Sequence, residues 1–94
     1  MEKKIIDGRA MTTRENAHAE LARALDFPSW YGAGLDALWD LVSTMDADAE
    51  LVNAGVMLNA LGKYGCKLLS TLYEAAEENP GFLFRISEPE AEEC

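Results

Sequence analysis

Two carboxylates lie four residues apart in the segment FPSWYGAGLDALWDLV, which spans residues 27–42: Asp36 and Asp40. On a helix, this spacing makes the two side chains neighbours on one face. Paired carboxylates can serve in general acid–base catalysis, but an enzyme also needs a pocket, a nucleophile or activated water, and groups that stabilise the transition state. A helix surface with two acidic side chains supplies none of these by itself. We therefore predict that the protein is not an enzyme.

The residues around this pair are more informative than the charges alone. Like charges at this spacing destabilise an isolated helix by about a few tenths of a kcal/mol. A charged face that only contacts solvent is common, and it remains one interpretation. However, Trp30, Tyr31 and Trp39 flank the charges, and Gly32 and Gly34 allow another backbone to approach closely. Rigid aromatic side chains with charges among them are typical of protein–protein interfaces.

Metal and nucleotide sites are both disfavoured. His18 is the only histidine in the chain and has no partner at a metal-binding spacing, so we expect a partly exposed helix residue rather than a ligand. The pattern Gly32-x-Gly34-x-x-Ala37 matches a loose dinucleotide fingerprint. That fingerprint requires a strand directly before it, and Asp36 would repel a phosphate at the helix N-terminus. We expect no metal and no organic cofactor.

Composition restricts the partner and the location. The formal net charge of −9 disfavours nucleic acid as a ligand, since phosphate binding needs clustered lysine and arginine, and it favours a basic protein. The apolar run Ile5-Ile6 near the N-terminus is too short for a signal peptide, and no segment reaches membrane-spanning length. The two cysteines match neither a zinc pattern nor a disulfide framework. We expect a cytoplasmic protein with no membrane partner.

The elements that must position these residues follow from hydrophobic periodicity and turn residues. KKIID, residues 3–7, is predicted to be the first strand. Thr12 is the predicted N-cap of a first helix from about Thr13 to Leu25, with Glu15 completing a capping box. Pro28 disfavours helix before it. The outward face of this helix is expected to carry Arg14, His18 and Arg23.

The second helix is predicted from about Gly34 to Ser43, with an apolar face of Leu35, Leu38, Trp39 and Val42. The following elements are expected, in order, to be an acidic loop at 45–50, a strand at 50–54, a short helix at 56–62, a turn between Gly62 and Gly65, a helix from Cys66 to Glu78, and a strand at 82–86.

The predicted order is β-α-α-β-α-α-β, which indicates the α/β class. Strands separated by helices favour a small three-stranded parallel sheet with right-handed crossovers, packed with about four helices. Residues 1–87 are expected to form a single domain. The acidic residues 88–94 are expected to be a disordered tail.

The run YGAGLDALWD at 31–40 resembles the central segment of the barstar family of intracellular ribonuclease inhibitors. The resemblance continues in IDG after the first strand, in His18 and Leu21 of the first helix, in YEAA of the last helix, and in the final apolar strand. It extends to about Ser87 and is loose between Met45 and Cys66. The family fold, a three-stranded parallel sheet with four helices, agrees with the predicted order of elements.

The resemblance implies an inhibitor that plugs the active site of a basic, secreted-type ribonuclease, and a chain that is monomeric when free. Asp40 would be the principal phosphate mimic and Asp36 a second acidic contact. Trp30 would stack on a catalytic histidine, and Glu74 would make an outlying charge contact. The full partner-binding set implied is Trp30, Tyr31, Gly32, Gly34, Leu35, Asp36, Trp39, Asp40, Ser43 and Glu74.

Some residues depart from the family pattern. Ala33 and Gly34 replace more polar residues of the loop, and Thr44-Met45 stands where barstar has a tryptophan shortly after its second helix. These departures concern the identity of the target more than the fold. The alternative function is therefore a barstar-like module that binds a basic protein other than a nuclease. A third and weaker alternative is a structural or regulatory protein that no longer uses the interface.

Overall fold

A computed structural model describes residues 2–87, so the acidic tail predicted at 88–94 lies outside the described residues. In chain order, the elements are β1 (Lys3–Asp7), a short 3-10 helix (Gly8–Ala10), α1 (Arg14–Leu25), α2 (Leu35–Val42), β2 (Ala47–Val52), α3 (Ala54–Leu61), α4 (Lys63–Glu78) and β3 (Phe82–Ile86). The three strands form one parallel sheet in the order β1-β2-β3. The predicted α/β class and the order β-α-α-β-α-α-β are confirmed.

The middle strand β2 alternates between core and solvent. Ala47, Ala49 and Leu51 are buried, and the residues between them face the other side of the sheet, as the two-residue period of a strand requires. Leu51 lies in register with Ile6 of β1 and Ile86 of β3. One face of the sheet thus joins the hydrophobic core that the helices cover.

The acidic loop predicted at 45–50 is wrong from Ala47 onwards, because β2 begins there. The two acidic residues of β2 lie on the outer face of the sheet and contact basic residues of the neighbouring strands. Asp48 pairs with Arg85 at 3.5 Å, and Glu50 pairs with Lys3 at 3.0 Å. The basic partners, Arg85 and Lys3, are distant from β2 in sequence. The local acidic pattern therefore predicts a loop, although the folded sheet stabilises a strand there.

The outer edge of β1 is closed by side chains of α1. The Asp7 amide donates a hydrogen bond to the Glu20 carboxylate at 2.9 Å, and the Arg23 guanidinium donates to the Ile5 carbonyl at 3.2 Å. The hydrogen bond from Arg23 is the main reason that the pKa of Glu20 is lowered. Since the free backbone groups of an edge strand invite pairing with other chains, this arrangement protects β1 and holds α1 beside the sheet.

Helix α1 begins one residue later than predicted. Its N-cap is Thr13, whose hydroxyl accepts a hydrogen bond from the Asn16 amide at 3.0 Å, so the predicted capping box of Thr12 and Glu15 is wrong. Two adjacent threonines offer two possible caps, and only the folded backbone selects between them.

Helix α4 begins at Lys63, three residues before its predicted start, and the turn predicted between Gly62 and Gly65 is wrong at its second residue. Gly62 ends α3 with a φ of 60°, which suits a glycine. Gly65 instead lies buried within α4. A Cβ atom built at Gly65 would lie 2.9 Å from the sulfur of Met57 and 3.2 Å from Leu58 Cδ2, so α3 packs directly against this glycine.

We expect Gly65→Ala to destabilise the protein by about 1–3 kcal/mol, because the added methyl group overpacks the contact between α3 and α4. Urea denaturation monitored by circular dichroism measures the effect. Gly55→Ala is the matched control, since Gly55 lies in α3 and a Cβ built there would meet no atom within 4 Å. A Gly65→Ala variant as stable as the control would contradict the close packing.

Candidate functional site

Helix α2 separates its apolar and acidic residues onto opposite faces. Leu38 and Val42 are fully buried in the core, whereas Asp36 and Asp40 are exposed. This division follows from 3.6 residues per turn. Helix α2 also packs against α4. The helix therefore presents both carboxylates to solvent from a firmly anchored position.

No ion pair among residues 2–87 neutralises the carboxylates of α2. The ion pairs within residues 2–87 join Lys3 to Glu50, Arg9 to Asp7, Arg23 to Glu20, and Arg85 to Asp48. None of these pairs includes Asp36, Asp40 or the exposed Glu74 of α4. Within the described part of the chain, the carboxylates of α2 thus have no cationic partner.

The N-terminus of α2 favours one of these charges. Gly34 is the N-cap and has no side chain to bond the first-turn amides, and Asp36 lies in that first turn. A carboxylate near the positive end of the helix dipole is stabilised, typically by about 0.3–1 kcal/mol at an exposed position. This contribution offsets the repulsion between the two aspartates.

The loop at 27–34 turns one aromatic side chain outward and the next inward. Trp30 is 74% exposed, whereas Tyr31 is half-buried with its ring 4.7 Å from that of Phe27. The Tyr31 amide donates a hydrogen bond to the Pro28 carbonyl at 3.1 Å, which closes the turn. Of the two adjacent aromatics in the predicted set, Trp30 is thus the one exposed to solvent, and Tyr31 packs inward.

The other members of the predicted set are half-buried on α2 or lie on another helix. Leu35 and Trp39 are half-buried and pack against the core. Ser43 is half-buried at the C-cap of α2, where its hydroxyl lies 3.5 Å from the Asp40 carbonyl. Glu74 is exposed on α4, the helix that packs against α2. Leu35, Trp39 and Ser43 thus lie on the helix that carries the carboxylates or at its end, whereas Glu74 lies on a neighbouring helix.

The loop glycines are not required by the fold. A Cβ built at Gly32 would make only an ordinary contact of 3.6 Å with Ala37, and at Gly34 it would meet nothing within 4 Å. Neither glycine has a positive φ. Ala33 between them does, at 55°, a conformation that typically costs a non-glycine residue about 1 kcal/mol or more. The absence of side chains at Gly32 and Gly34 therefore affects the shape of the surface, and it does not relieve backbone strain at these two positions.

His18 is not the partly exposed residue that the sequence predicts, because its side chain is only 2% exposed. Its Nδ1 lies 2.6 Å from the Tyr31 hydroxyl, and its Nε2 lies 2.6 Å from the Tyr64 hydroxyl. Burial lowers the pKa of His18 and is also the main reason that the pKa of Tyr31 is raised. The two tyrosines lie 13 and 46 residues away in sequence, so no local pattern reveals the cluster.

Neither carboxylate of α2 lies in the pocket beside the loop. This pocket has a volume of about 360 Å³ and is lined by residues of α1 and the loop, including Glu15, His18, Phe27 and Tyr31. Within residues 2–87, no group of three or more histidine, cysteine, aspartate or glutamate side chains could hold a metal ion. The helices described there include none that is long and apolar enough to cross a membrane. The two carboxylates therefore lie outside this pocket, on the exposed face of α2.

Comparison with known proteins agrees with this architecture. The family model described as "Barstar (barnase inhibitor)" matches residues 1–87. The chain is also 43% identical over 81 residues to a Bacillus subtilis (strain 168) protein named "Putative ribonuclease inhibitor YrdF", a match that covers 83% of this chain and 89% of the relative. Because the family match includes all three strands and all four helices described above, this chain belongs to the barstar family.

Proposed function

We propose that the protein is an intracellular inhibitor of a basic, barnase-like ribonuclease and that it acts by docking α2 and the loop before it into the active site of the enzyme. The observation that carries the proposal is the exposure of Asp36 and Asp40, which belong to no ion pair within residues 2–87, together with the exposed indole of Trp30 in the preceding loop. Membership of the barstar family and the similarity to a protein named as a ribonuclease inhibitor support it.

The carboxylates would act as substitutes for the phosphates of RNA. A ribonuclease active site holds phosphates with cationic and hydrogen-bond-donating side chains, and a carboxylate offers oxygen acceptors to the same donors. Asp40 is proposed as the principal mimic, paired with arginine and histidine of the nuclease, and Asp36 as a second contact. Since Leu38 and Val42 anchor the helix in the core, the carboxylates are already oriented before binding, and little ordering entropy is lost.

The residues around the carboxylates would complete the interface. Trp30 is exposed, so its planar indole would stack on a catalytic histidine of the nuclease. Gly32 and Gly34 leave open space in which the enzyme surface can approach the loop backbone. The proposed supporting contacts are Tyr31, Leu35, Trp39 and Ser43 near the centre, and Glu74 at the edge.

The setting of this activity is part of the proposal. A cytoplasmic, monomeric inhibitor would protect its own cell from a secreted-type nuclease before export. The net charge of −9 would steer the protein towards a basic active site and raise the rate of association, an effect that salt screens. Nucleic acid is not expected to be a direct ligand, because the charge of the chain opposes it.

Titration of a barnase-type ribonuclease with the purified protein tests the function. We expect inhibition at a 1:1 ratio, with the association rate falling about tenfold or more between low and high salt, because steering depends on screened charges. Enzyme kinetics and stopped-flow fluorescence measure both quantities. An absence of inhibition at micromolar protein would overturn the nuclease target and would favour the alternative, a different basic partner, for which the altered residues Ala33 and Gly34 would then be the first to study.

A further inference from the structure

The cluster formed by His18, Tyr31 and Tyr64 connects three separate parts of the fold. His18 lies on α1, Tyr31 lies in the loop at 27–34, and Tyr64 lies in the first turn of α4. Both ring nitrogens of the buried histidine are 2.6 Å from a tyrosine hydroxyl. The imidazole thus bridges the loop beside the acidic surface to a helix on which that surface packs.

The proton positions in this cluster are restricted. A neutral imidazole has one ring nitrogen that donates a hydrogen bond and one that accepts. One tyrosine hydroxyl must therefore donate to the ring while the other accepts from it. Each ring nitrogen thus has the hydrogen-bond partner that a buried polar atom needs. Loss of one hydroxyl would leave either tautomer of the imidazole possible.

This bridge is the main polar attachment of the loop. Among residues 2–87, the Tyr31–His18 hydrogen bond is the only side-chain hydrogen bond that joins the loop at 27–34 to another part of the chain. The remaining hydrogen bonds of the loop are backbone bonds near its two ends and within its turn. Tyr31 directly follows Trp30 in sequence, so the hydrogen bonds of the Tyr31 side chain and amide restrain the backbone next to the indole.

We propose that His18 and Tyr64 are positioning residues for the partner-binding loop, although neither belongs to the exposed surface that α2 and Trp30 form. The Tyr64 hydroxyl orients the His18 ring, and that ring holds Tyr31 and the loop in the docking conformation. The affinity part of this inference rests on the proposed inhibitor function. The effect on loop order does not depend on any partner.

Acid should weaken the bridge. A protonated imidazole donates from both nitrogens, so the hydroxyl that donates to the neutral ring must reverse its role and accept, and its own proton loses the ring nitrogen as acceptor. The charge of the ring is also buried, which is unfavourable. The groups that face the ring include the Tyr31 and Tyr64 hydroxyls, with the Arg14 guanidinium 4.3 Å from the Tyr64 ring centroid and Glu15 in the adjoining pocket. Burial lowers the pKa of His18 below its ordinary value of 6.5.

The sign of the pH effect follows from this direction. Below pH 6.5 the unfolded chain binds a proton on His18 that the folded state resists. The stabilisation from the neutral cluster is therefore complete above that pH, and it decreases as the pH falls through the lower folded pKa of His18. Loop order and affinity should decrease over the same range.

Tyr64→Phe tests the proposal, because it removes one hydroxyl and keeps the ring. We expect amide hydrogen exchange at Tyr31, whose amide donates to the Pro28 carbonyl, to accelerate about threefold to tenfold, in proportion to the loss of one buried hydrogen bond, and affinity for the ribonuclease to fall by a similar factor. Tyr73→Phe is the matched control: Tyr73 is exposed on the same helix, and its hydroxyl makes no hydrogen bond within the described residues.

Nuclear magnetic resonance of the imidazole gives a second readout, since His18 is the only histidine. We expect a single neutral tautomer with a pKa below 6.5 in the wild type, and a mixed tautomer in Tyr64→Phe. The difference in affinity between the two proteins should narrow as the pH falls through this pKa, because protonation weakens the same bridge.

Three results would overturn the proposal: loop exchange in Tyr64→Phe equal to that in Tyr73→Phe, a His18 that titrates at or above its ordinary pKa, or faster loop exchange with unchanged affinity. If no ribonuclease binds at all, the proposed function fails, and the exchange and tautomer measurements still decide whether the bridge orders the loop.

Discussion

Asp40→Ala is expected to weaken binding of the target ribonuclease by about 2–5 kcal/mol, which corresponds to roughly 30-fold to several thousandfold in affinity. This range describes truncation of buried charge pairs at interfaces, the barnase–barstar complex being among the systems that define it. The physical reason is that the substitution leaves cationic groups of the nuclease buried without a partner, which costs more than the contact itself contributes. Most of the loss should appear as faster dissociation.

The same substitution should leave the fold intact. Asp40 is exposed and belongs to no ion pair within residues 2–87, and alanine is a better helix former than aspartate. Its repulsion with Asp36 also disappears. We expect urea denaturation to give a free energy of unfolding within about 0.5 kcal/mol of the wild type.

Asp48→Ala provides the control for charge. It removes one carboxylate from the outer face of the sheet, so the net charge changes by the same amount without touching α2. Affinity should be nearly unchanged apart from a small loss of steering. Equal losses of affinity in the two variants would mean that net charge alone governs binding, and unchanged affinity in Asp40→Ala would rule out docking through α2.

Leu38→Ala is expected to lower the stability of the protein much more than its affinity for the ribonuclease. We expect a loss of about 2–5 kcal/mol in the free energy of unfolding, as is typical for a fully buried leucine. Leu38 is 0% exposed and is one of two fully buried residues of α2. The substitution removes packing atoms and leaves a cavity beneath the helix that carries the proposed site. For a domain of this size, a loss of about 3 kcal/mol would lower the melting temperature by roughly 12–24 °C.

Leu41→Ala makes the same chemical change on the same helix at a half-buried position and should cost clearly less. Thermal and urea denaturation compare the two variants, and binding is measured below the transition, where Leu38→Ala is still folded. We expect its folded fraction to retain most of its affinity for the ribonuclease. Equal losses of stability at 38 and 41 would contradict the inward orientation of Leu38.

The sequence by itself determined the order of elements and the outward position of the two aspartates. Strand and helix periods, proline and glycine are local signals, and they predicted seven main elements in the observed order. The placement of Asp36 and Asp40 opposite Leu38 and Val42 follows from helical geometry alone, because all four residues lie on one short helix. The run at 31–40 also suggested the family that the comparison then showed.

Only the tertiary structure decided which residues are paired across distant parts of the chain. Strand register brought Arg85 and Lys3 to the acidic residues of β2, so a segment that looks like a loop is the middle strand. The packing of α3 placed Gly65 within a helix. The burial of His18 required Tyr31 and Tyr64 to arrive from other elements. These outcomes depend on contacts between residues far apart in sequence. Such contacts contribute to stability only once the fold brings the residues together, so no local sequence pattern predicts them.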